Sequence, residues 1–236
     1  MPLCAAAVSA IHLHQLRQRM KGIIMSNNSQ AKPERVEHLG IIGAGAIGQA
    51  IAKQAVRAGL KVTLSNSRGP ESLAGTVDSL GPNARAGSVR DAAAADIVVL
   101  SVNWAQLPSA LADLPPWNGR IVIDATNPVI QPGFQLAELG GRNSSQVVTD
   151  MLPGARLVKS FNTLLAAVLA SDPGQAGGKR VVFLSGDDAA AKSTVEQLID
   201  RLGFAGIDLG SLAVGGKLQQ FPGGPLPALN LIKLPA

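Results

Sequence analysis

Leu39-Gly40-Ile41-Ile42-Gly43-Ala44-Gly45-Ala46-Ile47-Gly48 is the stretch on which the fold turns. Its last six residues fit the pattern G-x-G-x-x-G. An apolar strand over Val36–Ile42 precedes them. A helix follows over Ala46–Ala58, with Ile47, Ile51, Ala55 and Ala58 at helical spacing, and it stops at Gly59. That context gives the pattern its meaning. Gly43 permits a tight turn, Gly45 leaves room for a pyrophosphate to reach the backbone, and Gly48 lets the helix pack close to the strand. The phosphates would meet unpaired N–H groups at the positive end of the helix. Gly43, Ala44, Gly45, Ala46, Ile47 and Gly48 are therefore read as a dinucleotide-binding loop.

About twenty residues on, such sites usually carry Asp or Glu at the end of the second strand to bind ribose hydroxyls. Here the strand Lys61–Ser65 runs into Asn66-Ser67-Arg68, and no carboxylate appears until Glu71. A carboxylate there would repel a 2′-phosphate, whereas amide, hydroxyl and guanidinium donors suit one. The expected cofactor is NADP(H), not NAD.

Outward from this motif the alternation continues. A short helix over Glu71–Leu80 leads to a short strand at Ala84–Ala86 and a helix at Ser88–Ala95. Then come a strand at Ile97–Ser101, a helix at Ala105–Ala112 and a strand at Arg120–Asp124. Unbroken apolar strands alternating with helices predict a doubly wound parallel sheet of Rossmann type, covered on both faces. After residue 150 the texture changes. A strand at Arg156–Lys159, a helix from Thr163 to Ala170 and a loop over 172–178 are expected, then a strand at Arg180–Ser185, a helix at Asp187–Leu202 and a strand at Ala205–Asp208. The reading is an NADP-binding domain over 36–153 and a small appended α/β unit over 154–236. The Gly/Pro-rich tail, 215–235, has no assigned element.

Composition narrows the function classes. Of 236 residues 46% are hydrophobic and 16% charged, enough apolar surface to order the chain. The net charge is +5, but residues 1–37 carry +3 of it, so the body has no basic stripe, and only five Phe and two Trp could stack on bases. Nucleic-acid binding is not expected. No apolar run is long enough to span a membrane, and a cytoplasmic location is expected. The single cysteine, Cys4, allows no internal disulfide, and no metal site is expected. Residues 1–24 place their positive charges after the apolar stretch, the reverse of a secretory signal. Translation starting at Met25 is the simplest reading, with a transit peptide as the alternative, and 1–35 is taken as a disordered or non-native arm. Apolar residues on a small C-terminal unit make a homodimer the expected assembly.

Two loops leave the carboxyl ends of central strands, where open α/β sheets bind ligands: Ser101-Val102-Asn103-Trp104 and Ala125-Thr126-Asn127-Pro128. Trp104 could edge the cofactor or pack beneath its helix. Asp124 could be an acid or, more simply, a loop cap. Lys159 could be a general acid or half of an ordinary salt bridge.

Together GAGAIG, SNSRGPESL, DATNP, VKSFNT and the GPL-x-x-LN tail resemble the NADPH:coenzyme F-420 oxidoreductase family, a relative of the cytosolic domain of six-transmembrane metalloreductases. The resemblance covers residues 38–232. It implies hydride transfer between NADP(H) and a deazaflavin, coenzyme F-420, or a flavin. By motif, Gly43, Gly45 and Gly48 would hold the pyrophosphate, and Ser67 and Arg68 the 2′-phosphate. The backbone around Val102, Asn103, Asn127 and Pro128 would line the ribose and nicotinamide. Phe161, Asn162 and Thr163 would lie near the second ring. The tail departs from an assignable pattern.

The inventory agrees with that class. Beyond residue 38 there is no His, and there is no Tyr anywhere. Reducing a ketone requires a proton donor, whereas passing hydride to a flavin-like ring needs mainly alignment. No catalytic side chain is assigned. Two other readings stay open: a reductase of small C=N or C=O substrates using Lys159 or Asp124 as proton donor, and a non-catalytic NADP(H)-responsive binding protein.

Overall fold

A computed structural model describes residues 36–235. The expectations for 1–35 lie outside the described residues. Residues 36–235 form one compact unit built on a single large sheet.

The first half follows the expected alternation. β1 (His38–Ile42) leads through the glycine loop into α1 (Ala46–Arg57), then β2 (Lys61–Ser65). A 3-10 turn at Pro70–Leu73 opens α2 (Ala74–Leu80), followed by β3 (Ala84–Ala86), α3 (Val89–Ala93) and β4 (Ile97–Leu100). A second 3-10 turn, Trp104–Gln106, opens α4 (Leu107–Leu111), and β5 (Ile121–Asp124) completes the half. All these strands pair in parallel, in the order β3-β2-β1-β4-β5.

A small antiparallel hairpin, β6 (Val129–Ile130) and β7 (Gln135–Leu136), then leads to α5 (Ser144–Asp150), none of them anticipated. β8 (Arg156–Ser160) joins the sheet parallel to β5. The helix expected over 163–170 is the single turn α6 (Ala166–Leu169), and the loop expected over 172–178 contains β9 (Gly174–Gln175). β10 (Gly178–Gly186) runs antiparallel to β8 and to β9. α7 (Ala189–Arg201) returns the chain to β11 (Ala205–Asp208), parallel to β10. α8 (Leu212–Gln219) and β12 (Ile232–Lys233) occupy the tail. Residues 154–236, expected as an appended unit, thus extend the same sheet by β8, β10 and β11.

The fold is doubly wound α/β. Leu39, Ile41, Ile97, Val99, Ile121 and Ile123 face a core shared with Ile51 of α1 and Val195 and Leu198 of α7. Ile42, Val98, Leu100 and Val122 face the other, shared with Leu107 of α4, Val148 of α5 and Leu212 of α8. Burial on both faces explains why these strands read as continuous apolar runs. No helix among the described residues is long and apolar enough to cross a membrane.

Candidate cofactor cleft

At the carboxyl ends of β1, β2 and β4 lies a cleft of about 620 Å³. This is where the strand order reverses, the position at which open α/β sheets take ligands. Gly43, Ala44, Gly45, Asn66, Ser67, Arg68, Val102 and Asn103 line it, all of them expected at the site.

The three glycines do three different things. Gly43 has φ +110°, and a Cβ there would stand 2.2 Å from the Ser101 carbonyl oxygen. Its N–H donates to the Ser65 carbonyl at 3.0 Å, so the turn is bonded to the end of β2. A Cβ at Gly48 would stand 2.0 Å from the Gly43 carbonyl oxygen, so this glycine sets how closely α1 approaches the loop. Gly45 is the opposite case. A Cβ there meets nothing within 4 Å, and the backbone is extended, with φ −73°. The space beside it is left for a ligand.

Gly45 is also the N-cap of α1, and no side chain caps the helix. The first turn carries no acid, so its N–H groups remain available to an anion. Ala46, Ile47 and Gly48 form that first turn and do not themselves wall the cleft. The residues present therefore fit a pyrophosphate: an open cradle, free donors and no competing carboxylate.

Past β2, Asn66 is committed to the loop. Its Oδ1 accepts from the Arg68 N–H at 3.0 Å, and its Nδ2 donates to Ser72 Oγ at 2.9 Å. Ser67 and Arg68 are exposed, and the Arg68 side chain lines the cleft. No Asp, Glu, His, Tyr or Lys lines it. The loop after β4 also contributes Ser101, and Gln106 and Ser109 follow from the next short helices. Ser101 belongs to the loop expected to bind ligand; Gln106 and Ser109 were missed because they meet the cleft only once the 3-10 turn folds back. Trp104 is half-buried against the second core and does not line the cleft, so of its two readings packing holds.

The second loop is built differently. Asp124 and Lys159 are both 0% exposed and form an ion pair of 3.1 Å. Asp124 Oδ1 accepts from the Thr126 N–H at 2.9 Å and hydroxyl at 2.6 Å, and Ser145 Oγ donates to Oδ2 at 2.6 Å. Burial pushes this carboxyl up, but Lys159 and the Ser145 and Thr126 bonds outweigh it and hold it below the usual carboxylate range. Lys159 also donates to the Thr126 carbonyl at 3.0 Å. Asp124 is the loop cap, and Lys159 the salt-bridge partner.

Asn127 and Asn162 exchange two hydrogen bonds, of 3.0 and 2.9 Å, and Asn162 also donates to the Gln219 carbonyl at 2.7 Å. Asn127 and Pro128 do not wall the main cleft. Phe161, expected near a second ring, has its side chain in the core at 1% exposure, and φ +64°. Asn162 and Thr163 are buried, and the Thr163 carbonyl accepts from the Ala228 N–H at 2.7 Å. Without a displacement, none of the three presents a side chain to a ligand.

Comparison with known proteins converges on this geometry. The family described as NADP oxidoreductase, coenzyme F420-dependent, matches residues 38–128, from β1 to the end of the second loop. A solved structure of the hypothetical protein SMa0349 from Sinorhizobium meliloti is 46% identical, with a TM-score of 0.80, covering 84% of this chain and 96% of that one. A candidate F420-dependent NADP reductase from Arthrobacter sp. FB24 is 27% identical, with a TM-score of 0.62 over 75% of this chain and 86% of its own. The chain belongs to the NADP oxidoreductase family. Metalloreductase STEAP3 of Rattus norvegicus is 28% identical over 208 residues, which is 87% of this chain. The chain spans 41% of that relative's length.

Proposed function

We propose that this NADP oxidoreductase passes hydride between NADPH and a deazaflavin or flavin acceptor, with coenzyme F-420 the first choice. One observation carries the reading: neither side chain that the sequence offers as a proton donor is free to act. Asp124 and Lys159, the two groups that might have served, are fully buried and bonded to each other. A reductase of small C=N or C=O substrates would need one of them within reach of its substrate.

NADPH supplies the hydride when bound. The chain's part is to bind and align. The free N–H groups at Gly45 and the start of α1 suit the pyrophosphate. Ser67 and Arg68 suit the 2′-phosphate, with Arg68 as a charge-assisted donor. Val102 and Asn103 suit the ribose, and the family resemblance assigns the nicotinamide to the Asn127-Pro128 backbone, which leaves the neighbouring strand β5. The family's description and the name of the Arthrobacter relative, both F420-dependent, support the deazaflavin.

The test is NADPH oxidation with F-420, FMN, FAD, a ferric chelate and a panel of imines and ketones. Turnover with F-420 or a flavin is expected. Turnover confined to imines or ketones would sink the proposal.

A further inference from the structure

Asp124 ends β5 and Lys159 lies directly across from it on β8. Taking both charges out of water is expensive, and apolar residues of similar volume usually serve stability as well or better. Stability alone is therefore weak grounds for the pair. What the pair does hold is Thr126. The Thr126 N–H and hydroxyl donate to Asp124, and the Thr126 carbonyl accepts from Lys159. Both ends of one residue are gripped, so the direction in which Asn127 and Pro128 leave the strand is set.

Further contacts fix the same loop. Ser145, in the first turn of α5, donates to the same carboxylate. Asn127 is locked to Asn162, and Asn162 to Gln219 at the end of α8. Asn162 follows Phe161, whose positive φ is an outlier for a bulky residue and persists only where its surroundings impose it. A strained residue, a buried ion pair and a doubly bonded asparagine pair converge on one short loop at the rim where ligands bind.

We propose that Asp124 and Lys159 are positioning residues for the nicotinamide half of the cofactor, acting through Thr126 and Asn127. This rests on the reading that NADP(H) fills the cleft. The adenosine half is served by Gly45, Ser67 and Arg68 and owes nothing to the pair.

The experiment compares two ligands on the full chain, with no acceptor present. NADPH carries both halves. Adenosine 2′,5′-bisphosphate carries the 2′-phosphate and no nicotinamide. The ratio of their affinities reports the nicotinamide half. In Asp124→Asn/Lys159→Met the charges leave together and the Thr126 carbonyl loses its donor. The bisphosphate should bind as in wild type, while NADPH weakens about tenfold, the loss of about 1.4 kcal/mol of contact between the shifted loop and the nicotinamide half. Thr126→Val, which keeps the ion pair and loses only the hydroxyl bond to Asp124, should lower the ratio about threefold. It decides the matter should the double variant fail to fold.

An unchanged ratio in a folded variant overturns the proposal. So do equal losses for both ligands, which would mark a general structural role. Wild type that binds neither ligand overturns the cofactor reading, and this one with it. Normal wild-type binding with an unchanged variant ratio overturns this one alone.

Discussion

The two loops at the carboxyl edge of the sheet make opposite use of polar groups. After β1 and β2 the chain leaves donors unpaired: the first turn of α1 has no side-chain cap, and the exposed Arg68 lines the cleft. After β5 and β8 the polar side chains are spent on each other, with Asp124 accepting four hydrogen bonds in complete burial. The first loop is incomplete without a ligand. The second is complete before any ligand arrives. Open donors supply binding energy, and a finished network supplies shape, the quantity that alignment of a hydride requires.

The largest effect should come from glycines within the first loop. Gly45→Val is expected to abolish NADPH binding, a loss of more than about 100-fold, because the side chain fills the pyrophosphate space. Its melting temperature should match wild type, since nothing lies within 4 Å of the added Cβ. Gly43→Ala should instead destabilise the fold, by about 3 kcal/mol, through its positive φ and its collision with the Ser101 carbonyl. Calorimetric titration and thermal melts separate the two. Should Gly45→Val unfold the protein, or bind NADPH normally, the first loop would not be the open half of the comparison.

The open half was legible in sequence because it is local. Glycine spacing, an unalternating strand and a missing carboxylate at Asn66-Ser67-Arg68 all lie within thirty residues. The closed half was not. Asp124 and Lys159 are 35 positions apart, and their pairing depends on β8 joining β5 in parallel register, which no local pattern announces. For α5 a signal was present. Asn143 and Gln146 form a capping box, the N-x-x-Q spacing that marks a helix start, ahead of a mostly polar run. α8 was hidden by Gly215 and Gly216. These glycines argue against a helix until the packing is seen, where a Cβ at Gly215 would stand 2.5 Å from Ser185 Cβ.

Arg68→Ala tests the open loop more finely. A charge-assisted contact to the 2′-phosphate is worth about 1.5–3 kcal/mol. NADPH should therefore weaken by about 10- to 100-fold. NADH, which has no such phosphate, should change little. The gap should narrow at high salt, because Arg68 is exposed. Titrating both cofactors into both proteins at two salt concentrations reads all three effects. Equal losses for NADPH and NADH would make Arg68 a loop support, and the open half would lose its claim to distinguish the two cofactors.

The smallest effect lies at the opposite edge of the sheet and serves as a control. His38 opens β1, and burial, with Arg85 and Lys61 nearby, pulls its pKa below the ordinary 6.5 despite the opposing charge of Asp96. Thr63 Oγ1 accepts from Arg85 Nε at 2.8 Å and lies 2.7 Å from His38 Nε2. That leaves the hydroxyl proton to donate to a neutral ring. Because the folded pKa is the lower one, unfolding takes up a proton between it and 6.5. The contribution to stability is full above 6.5 and is lost as pH falls through the folded value. Wild type should thus lose about 1–3 °C more in melting temperature than His38→Gln between pH 7.5 and 5.5, a modest shift for a half-buried group. Affinity for adenosine 2′,5′-bisphosphate should follow the same pH course in both proteins, since His38 and the cleft lie at opposite ends of β1. A difference in binding would show that the amino edge communicates with the carboxyl rim. The division between an open and a finished loop would then no longer be a property of the rim alone.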